Sequence, residues 1–465
     1  MENWFMISRV LRYCYELSRN QWLKPGELRK LQEKRLRAIV RHAYGKVQLY
    51  HSKLNSVGLK PEDIRTIEDL KKIPFVTKQE VRDGIPGRSI AKGYGLENCV
   101  QASTSGTSGG PMPVFYDRRF LDYSVANWYF RKIVAIGLSP LDKMVSIEYG
   151  APEPSDVNRE KTMVSRGAKP KPMGRVALGP AASMLSRLRK RIRITDNAEE
   201  VLAEIVEFQP KLIDGNTSYL RVVAETIIDK GVKEVHPKAV RGDGEVLDGP
   251  TRKFLETVFE CDVFDEYSAW DFGHGAWECV RREGYHIDAD LLIMEIIRDG
   301  EPAAPGEQGE IVVTGLLNYA MPLIRYKVGD VGILGEDVCS CGRGLPILKS
   351  VEGRMVDCFR LPNGRIVTPK TIMTTIQDCP GVSRYQAVQE GTNKVTIELM
   401  RRKDDPEVSV EELVARCRGI LGDDVKIEVF KGDRKNLKAK FRPVVSKLTV
   451  SGETRWTRAR SNKPV

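Results

Sequence analysis

Between positions 210 and 271 the chain alternates strand-like apolar runs with helical spacing, and this alternation limits the fold more than any other feature. LIDGNTSYL reads as a strand passing into a helix that ends near Lys230. AVRGDGEVLDG reads as a strand and a loop, and a helix at 250–258 leads into CDVFDEYSAWD. Such elements pack as a largely parallel sheet covered by helices, because each must bury an apolar face against another. From 290 the chain turns strand-rich, with LLIMEIIR, GEIVVTGL and PLIRYKVGDVGIL. After Gly353 the pattern restarts as strand–turn–strand (VDCFRLPNGRIVTP), helix 370–378, strand, helix 409–421 and the strand VKIEVF. The fold class is therefore α/β: a large N-terminal domain of helix-covered sheets, 1–352, and a small C-terminal α+β domain, 353–447. A basic tail at 448–465 reads as disordered. At 465 residues the chain is long enough for two real cores.

The remaining elements frame one unusual stretch. Residues 5–55 read as helices, with Leu28, Leu31, Leu36, Ile39 and Val40 near helical spacing. A helix is expected over 118–137, a strand from Lys143 to Tyr149, and a loop over 150–175. Arg187, Arg189, Lys190, Arg191 and Arg193 form a dense basic cluster, expected on a solvated helix face. The unusual stretch is TSGTSGGPMPVFY, Thr104–Tyr116. Glycines at 106, 109 and 110 let its backbone approach a ligand closely. Thr104, Ser105, Thr107 and Ser108 add hydroxyl donors, and together they suit phosphate oxygens. It is not a P-loop, because Pro111 and Met112 stand where Gly-Lys-Ser/Thr would be needed.

The net charge of +11 suits a polyanionic small molecule, nucleic acid or anionic lipid and does not choose among them. No apolar run reaches membrane-spanning length. The N-terminal helix is interrupted by Arg9, Arg12, Glu16 and Arg19 and lacks a cleavage pattern, so it does not read as a secretory signal. Nine cysteines, an odd number, point to a reducing cytoplasm and to metal ligation rather than disulfides where they cluster. One such cluster is Cys279-x6-His286 followed by Cys339-Ser-Cys341. Three thiolates and an imidazole suit a closed, tetrahedral, structural zinc site.

Several stretches, in order along nearly the whole chain, resemble the adenylate-forming superfamily. More narrowly, they resemble its phenylacetate–CoA ligase-like group, which includes coenzyme F390 synthetases and capsule-associated relatives. They are LRAIVRHAYGKVQLYHSKLNSVGL, EDLKKIPFVTK, TSGTSGGPMPVFY, GDGEVL, FDEYSAWDFGHGAWEC, IRYKVGDVG, VEGRMVD and KAKFRPVVS. The resemblance implies an AMP-forming acid–CoA ligase. Such an enzyme adenylates a carboxylic acid, here aryl or aryl-acetic, with ATP and Mg2+ and passes it to coenzyme A. It implies that Thr104, Ser105, Gly106, Thr107, Ser108 and Gly109 hold the β- and γ-phosphates. Gly244 and Glu245 match the turn beside adenine, Tyr267 the ring that stacks on it, and Asp330 the acceptor of both ribose hydroxyls. Asp271 falls where relatives hold Mg2+; its shorter side chain favours contact through water. Arg354 lies near ribose and phosphates, and Asp357 matches a hinge about which the small domain turns. Lys440, with Lys438 as its rival, matches the lysine that reaches the carboxylate and the α-phosphate. The phenylacetate–CoA ligase-like group carries a comparable cysteine–histidine set. The implied substrate is a small carboxylic acid, with no nucleic-acid partner, and a homodimer is compatible with the sequence. Two alternatives stay open. One is AMP transfer to a deazaflavin hydroxyl, as in F390 synthetases. The other is a degenerate, capsule- or polysaccharide-associated homologue.

Overall fold

The computed structural model describes residues 2–104, 111–148, 187–194, 197–336, 338–400, 406–432 and 442–448, with backbone alone for 2–7. Ser105, Gly106, Thr107, Ser108, Gly109, Lys438, Lys440, the 150–175 stretch and the tail beyond 448 lie outside the described residues.

Three helices open the chain: α1 (Glu2–Asn20), α2 (Pro25–Lys46) and α3 (Gln48–Asn55). Leu28, Leu36, Ile39 and Val40 bury the inner face of α2. A short helix, α4 (Lys78–Asp83), is capped by Thr77, whose hydroxyl accepts from the Glu80 amide while Glu80 reaches back. Strands β1 (Cys99–Ser103) and β2 (Pro113–Asp117) pair antiparallel on either side of the glycine-rich stretch in the sequence. Helix α5 (Arg118–Ala126) continues through a π-helical stretch, Asn127–Lys132.

The central sheet has twelve strands among the described residues. In chain order they are β3 (Met144–Glu148), β4 (Arg189–Arg193), β5 (Leu212–Asn216), β6 (Ala239–Asp243), β7 (Asp262–Ala269), β8 (Gly273–Glu278), β9 (Tyr285–Ile287), β10 (Leu292–Arg298), β11 (Glu301–Pro302), β12 (Gln308–Gly315), β13 (Tyr326–Leu334) and β14 (Ile347–Arg354). Helices α6 (Ala198–Phe208), α7 (Thr217–Lys230) and α8 (Gly249–Phe259) cover the parallel part, β4-β3-β5-β6-β7. The expected parallel character stops at β7. Beyond it every pairing is antiparallel. The turns after Ala269 and Glu278 are too short for a parallel crossover, which needs a dozen residues or more.

The C-terminal unit has its own four-stranded sheet, ordered β19-β18-β17-β20. These strands are β17 (Arg384–Gly391), β18 (Lys394–Met400), β19 (Lys426–Gly432) and β20 (Val444–Ser446), after the small hairpin β15 (Phe359–Arg360) and β16 (Ile366–Val367). Helices α9 (Pro369–Gln377) and α10 (Val410–Leu421) close a separate core around Ile372, Ile376, Tyr385, Ile397 and Leu413.

Two local outcomes differ from the sequence reading. The basic cluster lies mainly on edge strand β4, not on a helix. Lys190 pairs with Glu204 at 3.1 Å, and Arg189 donates to the Asp142 and Pro140 carbonyls, so charge alone misread a polar edge strand. The π-helical stretch turns Asn127, Arg131 and Lys132 inward, and all three are buried. Arg131 donates to Asp288 at 3.0 Å and to Asp290 at 2.6 Å; Lys132 meets Glu266 at 2.6 Å. Buried charges of this kind persist only when paired. Here Lys132 pins the helix to β7, one residue before Tyr267, and Arg131 pins it to the segment after β9. Among the described residues no helix is long and apolar enough to cross a membrane.

Candidate active site

A cavity of about 260 Å3 opens where β7, β13 and β14 meet the C-terminal unit. Asp330 and Arg354 face each other across the β13–β14 ladder, so register alone juxtaposes them. The Tyr267 hydroxyl donates to Asp330 at 2.9 Å, and the Arg354 guanidinium lies 3.8 Å from the other carboxylate oxygen. Burial raises the Asp330 carboxyl above its ordinary range, against the pull of Arg354 and Tyr267. The same burial, reinforced by Asp330, raises the Tyr267 phenol well above its usual value. Gly275 lies under the tyrosine: a Cβ there would meet the Phe272 ring at 2.9 Å and the Tyr267 carbonyl at 3.0 Å. Gly244, at φ +68°, makes a turn that side chains rarely adopt. Beside it Glu245 accepts from the Ser218 amide at 2.9 Å. Gly244, Glu245, Tyr267, Asp330, Arg354 and Asp357 thus all line one cavity. The opposite wall carries Gln377, Arg384 and Arg442.

The glycine-rich hairpin is closed at its base. The Thr104 amide donates to the Met112 carbonyl at 3.0 Å, and the Met112 amide donates to the Thr104 hydroxyl at 2.9 Å. Thr104 therefore shapes the loop, and Met112 is fully buried rather than directed at a ligand. The Tyr116 hydroxyl donates to the Trp270 carbonyl, tying this hairpin to the β7–β8 turn. Asp271, in that turn, is buried and accepts from Tyr326 at 2.5 Å and from Lys78 at 3.3 Å. An ammonium already sits on its carboxylate, an arrangement that does not fit a direct magnesium ligand. Asp357 pairs with Arg442, so the residue matched to the hinge is bonded to the strand-leading segment after Lys440.

The cysteine–histidine set converges. Ligand atoms of Cys279, His286, Cys339 and Cys341 all lie within 4.8 Å of one another. The Cys279 and Cys339 sulfurs are 3.7 Å apart, far too long for a disulfide. A zinc tetrahedron with Zn–S of about 2.3 Å has sulfur–sulfur edges of about 3.8 Å. His286 Nε2 lies 3.4 Å from the Cys341 sulfur, near the corresponding mixed edge of about 3.5 Å. Burial lowers the His286 imidazole to about 4, which leaves it neutral, the form that ligates metals. The β9–β14 ladder pairs His286 with Ile347 and so brings the two halves together.

Some site residues had no signal in the sequence reading. Lys78 lay within a quoted motif without a role; its partner Asp271 is 193 positions away. Arg384 and Gln377, on the C-terminal wall, had no local motif at all.

No protein-family profile matches the chain. Solved structures of 2-hydroxyisobutyryl-CoA ligase share the fold. The post-adenylation complex with the 2-HIB adenylate superposes with TM-score 0.74 at 18% identity, covering 92% of each chain. The thioesterification-state complex with coenzyme A gives 0.62 at 18%, covering 92% and 91%. The fold is shared with these acid–CoA ligase structures. Among sequences, the Thermus thermophilus phenylacetate–coenzyme A ligase is 29% identical over 88% of this chain and 87% of its own. The Escherichia coli phenylacetate–coenzyme A ligase is 30% identical over 66% of this chain and 67% of its own. The chain belongs to the phenylacetate–coenzyme A ligase family of AMP-forming acid–CoA ligases.

One consequence concerns pH. A carboxylate accepts ribose hydroxyls well and a neutral acid accepts them poorly. Because the Asp330 carboxyl is raised, it takes up its proton at higher pH than an ordinary aspartate. If Asp330 accepts the ribose hydroxyls, ATP affinity should weaken as pH falls from neutral toward the ordinary aspartate range, earlier than a normal carboxylate would allow. Calorimetric titration of ATP across that range checks this. An Asp330→Asn protein should bind ATP more weakly and without this pH dependence.

Proposed function

We propose that the protein activates an aryl or aryl-acetic acid as its acyl adenylate and then transfers the acyl group to coenzyme A. The single observation that carries this reading is the Tyr267–Asp330–Arg354 constellation beside the Gly244–Glu245 turn, in one cavity walled by the C-terminal unit. Asp330 would accept the ribose hydroxyls, Tyr267 and the Gly244–Glu245 turn would flank adenine, and Arg354 would face the ribose and phosphates. The hairpin residues Ser105, Gly106, Thr107, Ser108 and Gly109 would hold the β- and γ-phosphates, and Lys440 would meet the carboxylate and α-phosphate. Two anions must approach each other, so positioning and charge stabilisation supply most of the rate. Magnesium would arrive on the phosphates of ATP, and the Asp271 carboxylate is already paired with Lys78.

The cysteine–histidine set would hold a structural zinc ion. Its sulfur and nitrogen spacings fit the tetrahedral edges, and its thiols are raised by burial at Cys279 and Cys339, so binding would release their protons. Free thiols across the described residues suit a reducing, cytoplasmic setting.

The test is ATP–pyrophosphate exchange by the wild-type protein with a panel of carboxylic acids, followed by mass spectrometry of products with and without coenzyme A. Exchange stimulated by an aromatic acid, and an acyl thioester appearing only with coenzyme A, is the expected result. Exchange with no acid by a folded, ATP-binding protein would overturn the reading. An adenylated deazaflavin would move it to the F390-type reaction.

A further inference from the structure

One set of contacts between the large unit and the C-terminal unit lies at an edge of the cavity. Arg384, the first residue of β17, meets Glu225 on α7 at 3.2 Å. Both side chains are nearly buried, at 9% and 10% exposure. Arg221, one turn before Glu225 and 3.4 Å from it, donates to the Ser383 carbonyl. Gln377, the last residue of α9, lies 3.2 Å from the Thr251 hydroxyl and donates to Asp248 at 3.4 Å. Asp248 in turn caps α8 through the Thr251 amide at 2.9 Å. The large-unit partners thus sit on helices rigidly packed on the parallel sheet, and the small-unit partners sit at the ends of α9 and β17.

We infer that the Glu225–Arg384 pair, with Arg221 and Gln377, latches the C-terminal unit over the nucleotide cavity and so sets the partition between the two half-reactions. This rests on the acid–CoA ligase reading above. A contact made between two bodies that rotate exists in one arrangement only, so its free energy weights that arrangement alone. The latched arrangement is the one in which Arg442, two positions after Lys440, lines the cavity and pairs with Asp357. It therefore favours acid activation. Rotation for thiol transfer must break a largely buried ion pair and leave each charge to find water or another partner. Glu225 and Arg384 are positioning residues: they act through the placement of the small unit, not on the reacting atoms.

The experiment compares wild type, Glu225→Gln and the double charge reversal Glu225→Arg/Arg384→Glu. Three readouts are taken: ATP–pyrophosphate exchange, thioester formation from a synthetic acyl adenylate with coenzyme A, and small-angle X-ray scattering of the nucleotide-free protein. Glu225→Gln should lower exchange about tenfold, the shift given by losing about 1.4 kcal/mol of bias. Thioester formation should be unchanged or faster, and scattering should shift toward more extended particles. The double reversal should recover part of the exchange. Both half-reactions falling together, or neither changing, would overturn the partition role. Superimposable scattering curves would overturn the latch itself. If wild type shows no exchange with any acid, the ligase reading fails, and scattering alone decides whether the pair holds the units together.

Discussion

A Lys440→Ala protein should lose ATP–pyrophosphate exchange by roughly 10²–10³-fold, the scale of deleting one preorganised charge donor at a reacting centre. Thioester formation from a ready-made acyl adenylate should survive, because that step no longer needs a cation between carboxylate and α-phosphate. The argument starts downstream of the lysine. Arg442, Pro443 and Val444 line the nucleotide cavity, and Arg442 pairs with Asp357. β20 then runs parallel to β17, Ala387 against Val444, which fixes where this segment leaves the small unit. The segment that enters the cavity at Arg442 therefore belongs to the small unit, not to the large one. The hairpin offers no substitute, since fully buried Met112 stands where a loop lysine would be. Lys438→Ala is the companion variant and should retain most of the exchange. If Lys438→Ala fell and Lys440→Ala did not, the role would pass to Lys438. The split between half-reactions separates this from misfolding, which would lower both.

The sequence carried those parts of the site whose chemistry is local. Asp330, Tyr267 and the Gly244–Glu245 turn each lie in a short stretch that resembles a motif of the family, and the structure brings them to one cavity. The convergence of the cysteine–histidine set was legible for a different reason. Thiolates and imidazoles have few uses in common, so type and spacing suffice before any fold is known. What stayed hidden is pairwise and long-range. Glu225 and Arg384 are 159 positions apart, and nothing in either neighbourhood names the other. Lys78 and Asp271 meet only because the segment before α4 bridges to β13, Val76 against Tyr326. The edge strand β4 was misread because its five residues, RKRIR, carry one apolar side chain, too few for either period to show. The strands from 290 onward were read without a direction, because apolar runs mark strands whereas turn length decides how they pair.

The second large effect concerns the cysteine–histidine set. Protein purified without chelator should carry about one zinc ion per chain by elemental analysis, as a closed four-ligand site does. Cys339→Ser and His286→Ala should each remove it and lower the thermal midpoint by about 10 °C. The expected loss is large because the 339–344 turn does more than place Cys339 and Cys341. Its Arg343 donates to the Gln21 side chain at 2.9 Å, and the Gly344 amide donates to the Gln21 carbonyl at 2.9 Å. A Cβ at Gly344 would sit 1.9 Å from the Leu23 carbonyl, so this turn and the α1–α2 connection are in direct backbone contact. On its other side the cluster reaches Cys279, at the end of the β7–β8 hairpin that carries Tyr267 and Asp271. Losing the ion would thus release the N-terminal helices and one wall of the nucleotide cavity together. Early protease cleavage near 279–286 and 338–344, and weaker ATP binding, should accompany the lower midpoint. Cys261→Ser, at a cysteine outside the cluster, is the control and should keep both metal and stability. Metal-free wild-type protein of unchanged stability would leave the four residues as packed thiols and an imidazole, with no structural ion to supply.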